Sequence, residues 1–218
     1  AYRESYLADI YDAARIVEKM DNIHFFQRPM VARDIAEPEA LDLNTVYAAV
    51  KGTTKHVGTS FTEAPFVGPA VSMLHDIAGG EDKWRERPFV SNSNCFVVPP
   101  LRFATESCQV MEEAVKAGMP VLLLSAGQAG ATAPAAIAGA VAQALSEVIA
   151  GLIYVNAMKP GPGQLADPGR RRAMVQRGQH RPLPRLPARL ALARARAHVA
   201  RPTRTREKCT TGRHAYHV

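Results

Sequence analysis

The sequence predicts an α/β fold of the (β/α)8 TIM-barrel type, incomplete, with about five βα units, followed by a basic tail of different character. Three observations predict it. Short β-branched or aromatic runs have their middles at Ile23, Val57, Val90, Leu122 and Ile153, spaced 34, 33, 32 and 31 residues apart. That spacing suits one strand, loop and helix per repeat. Segments of helical periodicity fill the intervals, so the strands should run parallel. The first strand leads into Ile23-His24-Phe25-Phe26-Gln27-Arg28-Pro29, without the glycine-rich phosphate turn usual in a doubly wound sheet.

A helical pattern over 3–19 opens the chain, and because it starts so early and Ala1 is not Met, the N-terminus reads as internal. The predicted strands are 22–26, 55–61, 88–96, 120–125 and 151–158. The predicted helices between them are 44–50, 66–77, 105–116 and 134–150, with Gly52, Gly79, Gly118 and Gly151 read as their C-terminal stops. Thr132 is placed as an N-cap with Pro134 in the first turn. The apolar stretch 129–155 contains Gln143, Ser146 and Glu147 and is expected to be a buried helix and strand rather than a membrane span. At 218 residues the chain is short for a complete barrel of about 250, so further strands are expected downstream.

Charge divides the sequence. Residues 1–160 carry 13 Lys and Arg against 18 Asp and Glu, a net −5, whereas 161–218 carry 14 against 2, a net +12. The tail holds 13 arginines and 6 prolines but no Ile, Phe, Trp, Asn or Ser, and the strand and helix rhythm stops there. It reads either as a basic arm for nucleic acid or another polyanion, or as a GC-rich gene translated out of frame. The reading favours the frame change, because the break falls inside the expected barrel. Cys95, Cys108 and Cys209 have no CxxC spacing, the histidines form no HxH or HExxH pattern, and no signal-peptide pattern heads the chain. A cytoplasmic protein without membrane association or a bound metal is expected.

Several segments together carry a family resemblance: Lys55-His56-Val57-Gly58-Thr59-Ser60-Phe61, Ala78-Gly79-Gly80-Glu81, Arg87-Pro88-Phe89-Val90, Val98-Pro99-Pro100-Leu101-Arg102-Phe103, Gly127-Gln128-Ala129-Gly130-Ala131-Thr132-Ala133-Pro134, Ala138-Gly139-Ala140, Glu147-Val148-Ile149-Ala150-Gly151 and Pro160-Gly161. In order and spacing the series resembles the central part of trimethylamine methyltransferase family proteins, over about 1–161. The resemblance implies a corrinoid-dependent methyltransferase on a (β/α)8 barrel. It would move a methyl group from trimethylamine, or from a quaternary amine such as glycine betaine, to the cobalt of a corrinoid held by a partner protein rather than by this chain. A quaternary ammonium departs as a neutral tertiary amine and needs no proton. The position of the family's pyrrolysine falls beyond the matching region, so the catalytic residue is not assigned, and the chain is expected to be truncated and inactive alone.

In a barrel the site forms from the C-terminal ends of the strands. That rule selects Gln27 and Arg28, Thr59 to Phe61, Asn92 to Asn94, Ser125 and Gln128, and Asn156. Within this set Gln27, Arg28, Thr59, Phe61, Asn92, Asn94, Gln128 and Asn156, together with His56, are the substrate-binding candidates. Asn92 and Asn94 share one side of an extended strand, with Ser91 and Ser93 on the other. Arg28 and Arg102 could grip a carboxylate, though surface ion pairing serves either equally well. His24, His56 and His75 are read as hydrogen-bonded structural residues before ligands, and Phe25, Phe26, Phe61 and Trp84 as core before cation-binding faces. A homo-oligomer is compatible with the sequence. The competing function classes are a basic nucleic-acid-binding protein using Arg170–Arg213 and a barrel enzyme of other chemistry.

Overall fold

A computed structural model of the chain describes residues 3–158. The 161–218 tail, expected to be either a basic arm or an out-of-frame product, lies outside the described residues. Helix α1 (Leu7–Glu18) leads to β1 (Phe25–Gln27), then α2 (Pro38–Gly52), β2 (His56–Thr59), a short 3-10 turn at Ala64–Phe66, α3 (Val67–Ala78), α4 (Glu81–Glu86) and β3 (Val90–Asn94). A small hairpin of β4 (Val97–Val98) and β5 (Arg102–Phe103) follows, then α5 (Thr105–Lys116), β6 (Val121–Leu123) and α6 (Ile137–Met158).

Four strands form one parallel sheet in the order β1-β2-β3-β6, with Phe26 opposite Val57, Val57 opposite Val90, and Asn92 opposite Val121. Each strand sits beside its predecessor, with no reversal of order of the kind that defines a doubly wound sheet. The result is a mixed α/β structure compatible with an arc of a (β/α) barrel.

Strand alternation sorts the two faces. Phe26, Val57 and Val90 join Val46, Ala49, Ala70, Leu74, Val110 and Ala114 in the core between sheet and helices. The other face carries Phe25, Gln27, His56, Gly58, Ser91, Ser93 and Leu122, of which Phe25 and Leu122 are 47% and 44% exposed. A second cluster, Phe96, Val97, Cys108, Met111 and Val155, seats α6 on α5 and the hairpin.

Gly52 lies inside α2, which Thr53 caps, and acts through close approach rather than as the expected stop. At Gly52 a Cβ would lie 2.6 Å from the Ala14 Cβ and 2.8 Å from the Tyr11 carbonyl, so α2 meets α1 nearly backbone to backbone. Gly79 and Gly118, with φ of 85° and 71°, do end their helices as expected.

The structure corrects the fifth strand. Residues 151–158 are the second half of α6, and Gly151 is a mid-helix glycine rather than a stop: a Cβ there would fall 2.3 Å from the Phe96 ring. Branched apolar residues in 152–155 fit either state, and packing on Phe96 decides for the helix. Helix α6 begins at Ile137, not 134, and Thr132 is not its cap; the Thr132 hydroxyl accepts a bond from the Gln128 N–H. Nor is α6 buried as expected. It is long and apolar enough, by length and composition, to cross a membrane, with only 11% of its apolar window buried. Tyr154, which donates to Glu112 of α5, and Glu147, described below, nevertheless fasten it to the rest of the protein. Two elements went unread in the sequence: the β4–β5 hairpin and α4, whose Trp84 is fully buried.

Candidate functional site

The C-terminal ends of β1, β2, β3 and β6 converge on a cleft of about 340 Å³. Gln27 ends β1. Ser60, Phe61 and Thr62 follow β2. Asn92 to Cys95 carry β3 into its loop, Leu124 follows β6, and Glu106, Ser107 and Val110 come from the start of α5.

A polar row crosses the sheet on its open face. The Ser93 hydroxyl donates to the Gln27 Oε1 at 2.8 Å, spanning from β3 to β1 above β2. Gly58 makes the crossing possible: a Cβ at that position would meet the Gln27 Oε1 at 2.0 Å.

Asn92 and Asn94 point to the other side, toward the helices. Asn94 donates from Nδ2 to the Ser107 carbonyl at 2.9 Å, while its Oδ1 is buried without a protein partner. Asn92 is 0% exposed, and neither its Oδ1 nor its Nδ2 has a protein partner. Buried carboxamide atoms are nearly always paired, so a fully buried Asn lining a cleft with neither end bonded to protein stands out among the lining residues.

Behind the β2 loop, Asp42 of α2 accepts from the Thr62 N–H at 2.6 Å and from its hydroxyl at 3.0 Å. Burial pushes the Asp42 carboxyl above its ordinary value, against the Thr62 bonds and the nearby positive charge of Arg28. Arg28 donates to the Ser60 hydroxyl at 2.7 Å, which ties the ends of β1 and β2 together.

Of the sequence-selected residues, Gln27, Ser60, Phe61, Asn92, Ser93 and Asn94 line the cleft. Arg28 stands behind it, bonded to Ser60, and Thr59 is buried at the end of β2 without reaching the lining. His56 begins β2, at the opposite end from the cleft, where its Nε2 shares a 2.9 Å hydrogen bond with the Ser91 hydroxyl. Gln128 lies in an exposed turn after β6, its carbonyl accepting from Ala131, Thr132 and Ala133. Asn156 was selected as a strand end and is instead on α6, bonded to the Leu152 carbonyl one turn back. Trp84 and Phe26 are core, as read: Trp84 packs edge-on to Phe89 at 5.3 Å. Arg102 follows no strand of the main sheet but lies in the hairpin.

The sequence reading missed Thr62, Glu106, Ser107 and Glu147. A signal was present for two of them, since Glu106 and Ser107 lie in the first turn of the helix predicted next after the polar strand. Glu147, on α6, is 1% exposed and accepts from the Leu101 N–H at 3.0 Å, from Gln143 Nε2 at 3.1 Å and from the Ser125 hydroxyl. Burial pushes its carboxyl up, but the Ser125, Leu101 and Gln143 bonds outweigh burial and hold it below the ordinary glutamate value.

The sequence from 1 to 165 matches the family described as Trimethylamine methyltransferase (MTTB), three quarters of the chain. The chain belongs to that family. Similar proteins include a trimethylamine methyltransferase of Methanosarcina mazei, 32% identical over 158 residues that make up 70% of this chain and 31% of that protein. A trimethylamine methyltransferase of Desulfitobacterium hafniense is 30% identical over 160 residues, 73% of this chain and 32% of its own length. A glycine betaine methyltransferase of the same species is 25% identical over 160 residues, 73% of this chain and 33% of its length. The match therefore spans about a third of each of these trimethylamine methyltransferase family relatives.

Proposed function

We propose that this trimethylamine methyltransferase family chain is part of a cytoplasmic enzyme that takes a methyl group from a tertiary or quaternary methylamine, trimethylamine or a betaine-like compound, and delivers it to the cobalt of a corrinoid carried by a partner protein. The four-stranded sheet is then an arc of a (β/α)8 barrel, with the cleft at the strand ends where barrel enzymes place their sites. The chain alone is inactive in this reading, since it spans about a third of the relatives it matches.

The observation that carries the proposal is Asn92. A quaternary methylammonium group presents diffuse positive charge and no N–H donor, protonated trimethylamine a single N–H, and either is held by oxygen dipoles and aromatic faces rather than by a single counter-ion. The cleft is lined by Asn92 and Asn94, whose buried Oδ1 atoms have no protein partner, by the ring of Phe61, and by Glu106 at its exposed rim. The free Asn92 Nδ2 supplies a donor for a carboxylate such as that of a betaine. At about 340 Å³ the cleft suits a small amine.

Calorimetric titration with glycine betaine and trimethylamine tests this through Asn92→Leu, which keeps the branching and the number of side-chain heavy atoms. Removing a buried unpaired amide should raise the melting temperature while weakening ligand binding about tenfold or more. A destabilised variant with unchanged ligand affinity would show Asn92 to be structural and remove the proposal's support.

A further inference from the structure

Three segments at the C-terminal edge of the sheet meet on one side chain. The tip of the β4–β5 hairpin brings the Leu101 N–H, the loop after β6 brings the Ser125 hydroxyl, and α6 itself brings Gln143, one turn before Glu147. Gln143 Nε2 also donates to the Thr132 carbonyl at 2.9 Å, which adds the Gly127–Thr132 turn to the same knot. Leu101 holds φ at 57°, a left-handed conformation that a branched residue adopts only when its surroundings enforce it. Its side chain is 64% exposed; the three-residue loop between Val98 and Arg102 sets this backbone at its last position, which aims the Leu101 N–H at Glu147.

These segments adjoin the cleft. Leu124, next to Ser125, and Cys95, two residues before β4, both line it. A charge on an apolar, otherwise largely exposed helix would ordinarily face water; this one is turned inward and spends its acceptor capacity on the loops.

We infer that Glu147 is a positioning residue of the cleft, a single buried carboxylate that fixes the loops after β3 and β6 in the arrangement that forms one wall of the site. The inference rests on reading the cleft as the substrate site, but its structural half needs no substrate to be tested.

The test uses the full chain with Glu147→Gln, Glu147→Asp and Ser125→Ala, and reads hydrogen exchange of the Leu101 amide, bonded to Glu147, and of the Leu124 amide, bonded to the Asn94 carbonyl. Glu147→Gln keeps the shape but has one acceptor oxygen in place of two. Exchange of both amides should accelerate about tenfold, the scale of one lost charge-assisted hydrogen bond, while amides of α2 and α3 keep their protection. Glu147→Asp, which keeps the charge, should recover part of both. Ser125→Ala gives a smaller shift in the same direction and decides the matter if the Glu147 variants do not fold. Unchanged Leu101 and Leu124 exchange in a folded Glu147→Gln chain, or in Ser125→Ala if Glu147→Gln fails to fold, would overturn the inference. Glycine betaine affinity falling at an unchanged melting temperature separates positioning from mere stability. A wild-type chain that binds no methylamine, with both amides still released in the variants, would sink the proposed substrate and leave the loop-holding role standing.

Discussion

His56 shows how one side chain can be chemically suggestive and structurally committed. It begins β2 on the open face of the sheet, bonded to Ser91, and its surroundings lower its affinity for a proton through burial. The unfolded chain binds that proton near the ordinary pKa of 6.5 and the folded chain only at lower pH. Between the two values the unfolded state carries more protons, so folding stability rises with pH across that window and falls as the solution is acidified below 6.5. In urea titrations from pH 5 to 7.5, His56→Gln should flatten this slope and leave stability at neutral pH little changed. An unaltered slope would assign the acid sensitivity to other groups. The same scale explains what the sequence hid in Asn92: alternation placed it opposite Ser93 correctly, but only neighbours reveal that both of its polar atoms go unpaired.

At the scale of elements, the join between α1 and β2 is electrostatic. Lys55, just ahead of β2, donates from its ammonium to the carbonyls of Val17, Met20 and Ile23, at 2.7, 2.5 and 2.6 Å. These carbonyls lie at the end of α1 and in the turn after it, where the helix dipole favours a cation; those of Val17 and Met20 also accept from the Met20 and Ile23 N–H groups. Glu18 reinforces the join by accepting from Thr53 and Thr54. Lys55→Met, which keeps the stem and removes the charge, should cost about 1–2 kcal/mol, read as a lower urea midpoint with the slope unchanged. An unmoved midpoint would show that water replaces the ammonium at no cost. Nothing in the local sequence announced this contact, because its partners lie 32–38 residues away.

Across the whole molecule, the described sheet has free edges at β1 and β6 and an uncovered face bearing Phe25 and Leu122. Helix α6 adds an apolar stripe of Ile137, Val141, Leu145, Ile149 and Ile153, all well exposed. Surface of this kind drives association. Light scattering of the chain should show self-association that Val141→Glu together with Ile153→Lys reduces, without loss of helix by circular dichroism; a monodisperse monomer in the unsubstituted chain would contradict this. The sequence by itself determined the repeat, four of the five strands, the helices between them and the family, since these follow from local apolar periodicity, turn residues and motif order. Only tertiary structure decided three things. Phe96 against Gly151 converted the expected fifth strand into helix and moved Asn156 away from the strand ends. Gly58 let Gln27 reach Ser93. Glu147, unremarkable in an apolar run, became the acceptor for three segments, because a buried carboxylate is stable only where distant donors converge on it.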